Sequence, residues 1–139
     1  MRVEHVEVAV RTGGRVRVED VTEHVRQAVR DAGVRQGLVL ASVPHTTCAV
    51  CVNENETGLR SDIERLAREV LEPLASQGEF AHDCIDDNAR AHLTSLLLGH
   101  HAMLPIADGE VVLGTWQSVF LVEMDGPRER RLHLQVIGI

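Results

Sequence analysis

Hydrophobic and polar positions alternate with a period of two in residues 3–10, VEHVEVAV, and again in 15–19, RVRVE, as in strands with one buried face. The Gly13-Gly14 pair between them predicts a β-hairpin. The period then becomes helical. Val21, Val25, Ala28, Val29 and Ala32 share one face, Asp20 or Thr22 can cap the start, and Gly33 is a stop signal. Residues 37–43, GLVLASV, read as a buried strand; Pro44 limits its ladder, and a further strand is predicted over 46–53. From Leu59 a helix is predicted through Ile63, Leu66, Ala67, Val70, Leu71 and Leu74, with Pro73 marking its end. A polar loop over 76–88 leads to a helix over 89–98 that stops at Gly99. MLPIADGEVVLG reads as strand, Asp-Gly turn and strand, and TWQSVFLVEM and RRLHLQVIGI as two more strands joined by Asp125-Gly126-Pro127.

Strands and helices in this order, with hairpins at both ends, predict one α+β domain over 1–139. It has a largely antiparallel sheet or sandwich and about three helices. A dinucleotide-binding sheet does not fit, because the Gly-rich strand-to-helix turn and the βαβ crossovers are missing.

Composition narrows the chemistry. The 139 residues are 44% hydrophobic, enough for one modest core. All 14 basic residues are Arg, scattered among 21 acidic ones for a net charge of −7, so nucleic acid is not an expected partner. Lys and Tyr are absent, which removes Schiff-base chemistry, a P-loop lysine and a phenolic acid. Proton transfer falls to His, Asp, Glu or Cys. With no long apolar run and an odd count of three cysteines, the expectation is a cytoplasmic protein without a membrane partner.

Cys48 and Cys51 have the spacing of a zinc knuckle or a redox dithiol, but residues three apart on a strand face opposite ways and no second ligand pair follows, so they read as small buried hydrophobes. Asp62 falls at the edge of the helical stripe that begins at Leu59, either as a carboxylate favoured by the helix dipole or as part of a proton-handling or metal site. HDCIDDNARAH, residues 82–92, carries His82, Asp83, Asp86, Asp87 and His92, a donor set that suits Zn²⁺ or Mn²⁺. His5, His24, His100, His101 and His133 read as surface residues. Trp116, the single tryptophan, serves either a pocket wall or the core. Arg128, Arg130 and Arg131 form a solvated run or an anion clamp.

PHTTCAVCVNENE, AHDCIDDNARAHLTSLLLG and GEVVLGTWQSVFLVEMDGPRERR, in this order, closely resemble the YjbQ-like (UPF0047) family from about Leu38 onward. That resemblance implies an α+β homotrimer with a polar pocket. It places His45, His82 and His92 as ligands of a divalent metal ion (Zn or Mg/Mn), and Asn53, Glu54 and Asp62 in catalytic roles. It sets Thr47, Trp116, Gln117 and Arg131 against a small phosphorylated metabolite or anion. The implied activity is a weak thiamine-phosphate synthase, joining a pyrimidine diphosphate to a thiazole phosphate. The alternatives are a metal-assisted hydrolase of a small ester or phosphate, or a non-catalytic metal- or phosphate-binding trimer. Cys48 departs from the small residue common at its position, and the short loop before His92 leaves open which of Asp83, Asp86 and Asp87 joins the histidines.

Overall fold

A computed structural model describes residues 1–139. Its elements run β1 (Arg2–Arg11), β2 (Arg17–Asp20), α1 (Thr22–Ala32), β3 (Gln36–Ser42), β4 (Cys48–Glu54), α2 (Thr57–Glu69), the short α3 (Glu72–Ala75), a 3₁₀ turn (Ala81–Cys84), α4 (Ala89–Leu98), β5 (His101–Ala107), β6 (Glu110–Val111), β7 (Gln117–Glu123) and β8 (Glu129–Gly138). The strands form two antiparallel sheets, one ordered β1-β8-β3-β5-β6 and one ordered β2-β7-β4. This is an α+β fold of three long helices on antiparallel sheets.

The larger core lies between the sheets and under α1: Val25, Ala28 and Val29 meet Val39, Leu121, Leu132, Leu134 and Val136. A smaller core, containing Val18, Ala49, Ala67, Ala91, Phe120 and Val122, joins the outer side of the three-stranded sheet to α2 and α4. Strand β4 is therefore covered on both faces. Cys48 and Val50 enter the larger core, whereas Ala49 and Cys51 turn to the smaller one. The thiols do face opposite ways, and burial pushes Cys48 up to about 12 and raises Cys51 as well.

Local signals set the element ends. Asp20 accepts bonds from the backbone N–H and the hydroxyl of Thr22 at the start of α1, and Gly33 closes it in the left-handed region at φ 60°. Asp108 and Gly109 both take positive φ, as a two-residue turn between β5 and β6 requires.

Two strand pairings differ from those the sequence predicts. β1 pairs with β8 and β2 with β7, so the first two strands lie in different sheets and form no hairpin. Neither Gly13 nor Gly14 is among the residues with positive φ, so the primed turn a tight hairpin needs does not form there. Likewise β7 and β8 belong to different sheets. The two crossings between sheets run side by side instead: Thr12 N–H donates to the Arg128 carbonyl (2.9 Å), and Gly126 N–H to that of Arg15 (3.1 Å). Pro73, expected to end a long helix, sits in the first turn of α3. Of the apolar stripe on α2, Ala67 alone is buried; Leu66, Val70 and Leu74 stay exposed.

Candidate functional site

Beneath the turn that joins β3 to β4 lies a buried ion pair. Arg130 on β8 is 4% exposed and Glu123 at the end of β7 is fully buried. The Glu123 carboxylate accepts bonds from Arg130, from the Thr12 hydroxyl and from the backbone N–H groups of Met124 and Asp125. Burial alone would raise the Glu123 carboxyl, but these donors together hold it below the usual range. Arg130 also donates to the Thr47 hydroxyl at 2.8 Å, and Met124 N–H to the Thr47 carbonyl at 3.2 Å. Thr47, expected against substrate, is thus buried and fastens the 45–47 turn to the core.

His45 lies on that turn, ahead of β4. Its Nε2 accepts a bond from the backbone N–H of Arg131 at 2.9 Å. In the neutral ring Nδ1 then carries the proton, so His45 offers a donor outward. Partial burial, then the charges of Arg130 and Arg131, hold its pKa below the ordinary value and keep it neutral.

The helix α4 places His92 beside His82 of the 3₁₀ turn, ring centroids 4.7 Å apart and nearly perpendicular at 79°. His82 is oriented from behind. Its Nε2 faces Asn88 Oδ1 at 3.0 Å, and the amide is fixed because its Nδ2 donates to Asp125 Oδ2, also at 3.0 Å. Nε2 is therefore the protonated nitrogen of neutral His82, and Nδ1 carries the lone pair. His92 lines a cleft of about 450 Å³ with His82 and one of about 530 Å³ with His45, Ser95 and His100. The three predicted imidazoles thus form a row with His92 in the middle. His100, which sequence reading left on the surface, joins it because Gly99 ends α4 there.

The remaining expected residues lie elsewhere. Asn53 and Glu54 end β4 and pair with Ser118 and Gln117, while Cys48, next to the His45 turn, is at the other end of the strand. Six strand steps separate these ends, roughly 20 Å. Gln117 accepts a bond from the Gly114 N–H at 2.8 Å, Trp116 is 72% exposed, and Asp62 faces outward on α2. Arg131, exposed on β8, stands beside the histidine end, 4.0 Å from Glu7. The Arg run is no joint clamp: Arg128 bonds Asp125 at 2.8 Å and Arg130 is consumed by Glu123. Asp83 caps α4 by accepting from Ala89 N–H at 3.0 Å. Nowhere do three His, Cys, Asp or Glu side chains converge closely enough to hold a metal ion. No helix is long and apolar enough to cross a membrane.

The fold and the site define a two-sheet α+β protein with an imidazole-lined ledge at one end of strand β4. Residues 6–139 match the sequence profile described as UPF0047 protein YjbQ-like, and the chain belongs to that family. It is 41% identical over 138 residues to a UPF0047 protein of Methanothermobacter thermautotrophicus, covering 99% of this chain and 94% of the relative. It is 29% identical over 133 residues to the UPF0047 protein YugU of Bacillus subtilis, covering 93% and 96%. Among solved structures, a YbjQ-like protein of unknown function from Sulfolobus solfataricus superposes with a TM-score of 0.93 at 39% identity, over 99% of each chain. A hypothetical protein from Aeropyrum pernix gives 0.91 at 41% identity, over 98% of this chain and 99% of that one.

Proposed function

We propose that this chain is a small-molecule enzyme acting on a phosphorylated metabolite, with an activity like that of secondary thiamine-phosphate synthases. The observation that supports the reading is the row of His45, His92 and His82, in which both outer rings are held in defined tautomers by hydrogen bonds to their neighbours. In such a reaction the pyrimidine carbon–oxygen bond breaks, its electron pair leaves with pyrophosphate, and the thiazole nitrogen forms the new bond. A neutral His45 with Nδ1–H outward would donate to the departing oxyanion, and the Arg131 guanidinium beside it would offset the growing charge.

The family resemblance also brings a divalent cation, Zn or Mg/Mn. Within one chain the donors fit only in part: His82 Nδ1 and His92 are free to ligate, but His45 has its lone pair engaged. A bound cation would neutralise phosphate charge.

The catalytic set Asn53, Glu54 and Asp62, together with Trp116 and Gln117, would then act in the site of a neighbouring copy. This is why we favour the homotrimer. A cyclic trimer uses two different patches on each chain. One candidate is the uncovered face of the larger sheet with Val3, Leu38, Met103 and Ile137, the other the exposed Leu66 of α2, Val70 just beyond it and Leu74 of α3. Three free thiols suit the cytoplasm.

The test is direct. Purified protein supplied with both phosphorylated substrates should form thiamine phosphate, and His82→Ala and His92→Ala should lower the rate by about a hundredfold or more while melting normally. Unchanged rates in both variants, or no product from wild type at any cation tested, would end this reading.

A further inference from the structure

A further cleft, of about 720 Å³, lies on the other side of Asn88 from His82, between α2, the first turn of α4 and the crossing from β1 to β2. Its volume is in the range of small-ligand pockets. Ala67 on α2 and Ala89 and Ala91 on α4 leave space where larger side chains would fill the gap between the two helices. The floor is apolar, formed by Val16, Ala67, Ala91 and Met124.

Three guanidinium groups stand around that floor in a protein of net charge −7. Arg15 is aimed by its bond to the Asp87 carbonyl (2.9 Å) and lies 3.8 Å from Asp125, a carboxylate already bonded to Arg128. Arg90 is tethered from outside by Glu72 at 3.2 Å. Arg68 forms no ion pair and no side-chain hydrogen bond. Of the two acids in the wall, Asp83 is spent capping α4, and Asp87 is exposed.

We propose that this cleft binds a small organic oxyanion, a phosphomonoester or carboxylate, whose charged end is taken by Arg68 and Arg15 and whose apolar body lies on the Val16–Met124 floor. The combination favours such a ligand over simpler ones: a bare inorganic anion would leave the floor wet, and a neutral apolar molecule would leave Arg68 unused. The site goes beyond the histidine reading, and its occupancy does not depend on it. Asn88 lines the cleft and also holds His82, so a ligand here would be felt at that ring.

The experiment titrates ¹⁵N-labelled protein with inorganic phosphate, phenyl phosphate and benzoate. Saturable shifts at the amides of Ala67, Asn88 and Ala91 are expected, with phenyl phosphate at least about tenfold tighter than inorganic phosphate. Arg68→Ala should weaken phenyl phosphate by a similar factor, Arg68→Gln nearly as much, and the Arg15/Arg68 double variant should remove it. Because Arg68 has no partner in the fold, its variants should melt as wild type does. His92→Ala should leave binding unchanged, which separates this site from the histidine ledge. Shifts confined to residues around His45, His92 and His100, binding indifferent to Arg68, or no saturable shift at all would each overturn the proposal.

Discussion

Arg130→Met removes the cation of the buried pair while keeping much of its volume. Glu123 is fully buried, so the variant leaves a carboxylate with only the Thr12 hydroxyl and two backbone N–H groups for compensation. Breaking such a pair from one side costs about 3–5 kcal/mol, against a total stability on the order of 5–15 kcal/mol for a domain. Urea unfolding followed by far-ultraviolet circular dichroism should show the midpoint falling by roughly a fifth or more at neutral pH. In wild type the Glu123 carboxyl titrates below its unfolded value, so its stabilisation is complete above that value, roughly pH 4.3, and is lost as pH falls through the folded one. Without Arg130 that carboxyl should titrate higher, and much of the variant's penalty should vanish on mild acidification. His45 should respond too: one of the charges holding it neutral is gone, so its imidazole should titrate closer to the ordinary value. A loss below about 1 kcal/mol, or an unmoved His45 titration, would refute the account of the ion pair as the support of the histidine turn.

Other consequences are simpler. His45 titrates below its unfolded value, so its contribution to stability is present near neutrality and lost as pH falls from about 6.5 toward the folded value; His45→Gln should flatten that part of a pH–stability curve. Asn88→Ala should release the His82 tautomer, visible as averaged ¹⁵N shifts for its two ring nitrogens, and lower activity by about 10–100-fold. Gly37→Ala should destabilise by about 3 kcal/mol or more in thermal melts, because a Cβ there would stand 2.1 Å from the Ile137 carbonyl oxygen. In native protein a thiol reagent should label Cys84 rapidly and spare the buried Cys48 and the half-buried Cys51, both of which are hard to ionise.

What the sequence made legible was local. Gly33, Gly99 and Asp108-Gly109 announce their element ends because each position demands a backbone that few residues tolerate. The opposite facing of Cys48 and Cys51 follows from strand parity alone. Pairing did not follow: β1 finds β8, with Arg2 opposite Gly138, and nothing in VEHVEVAV distinguishes that partner from its neighbour β2. The burial of Arg130 was missed although a signal existed, since it shares parity with Leu132, Leu134 and Val136, all of which point into the core. Reading Arg128, Arg130 and Arg131 as one charge run hid it. Asn88 and Asp125, which orient His82, carry no pattern of their own; their role exists only once the crossings between sheets bring them together.

The central claim is that a histidine end on one copy meets an Asn53–Glu54 end on another. Mixing unfolded His92→Ala and Glu54→Ala chains in equal amounts and refolding them together tests it. Each variant alone should be nearly inactive in thiamine-phosphate formation, and random assembly into rings should restore about a quarter of the wild-type rate, the share of interfaces that pair an intact histidine end with an intact acidic one. Mixed assemblies no more active than either parent would contradict a shared site.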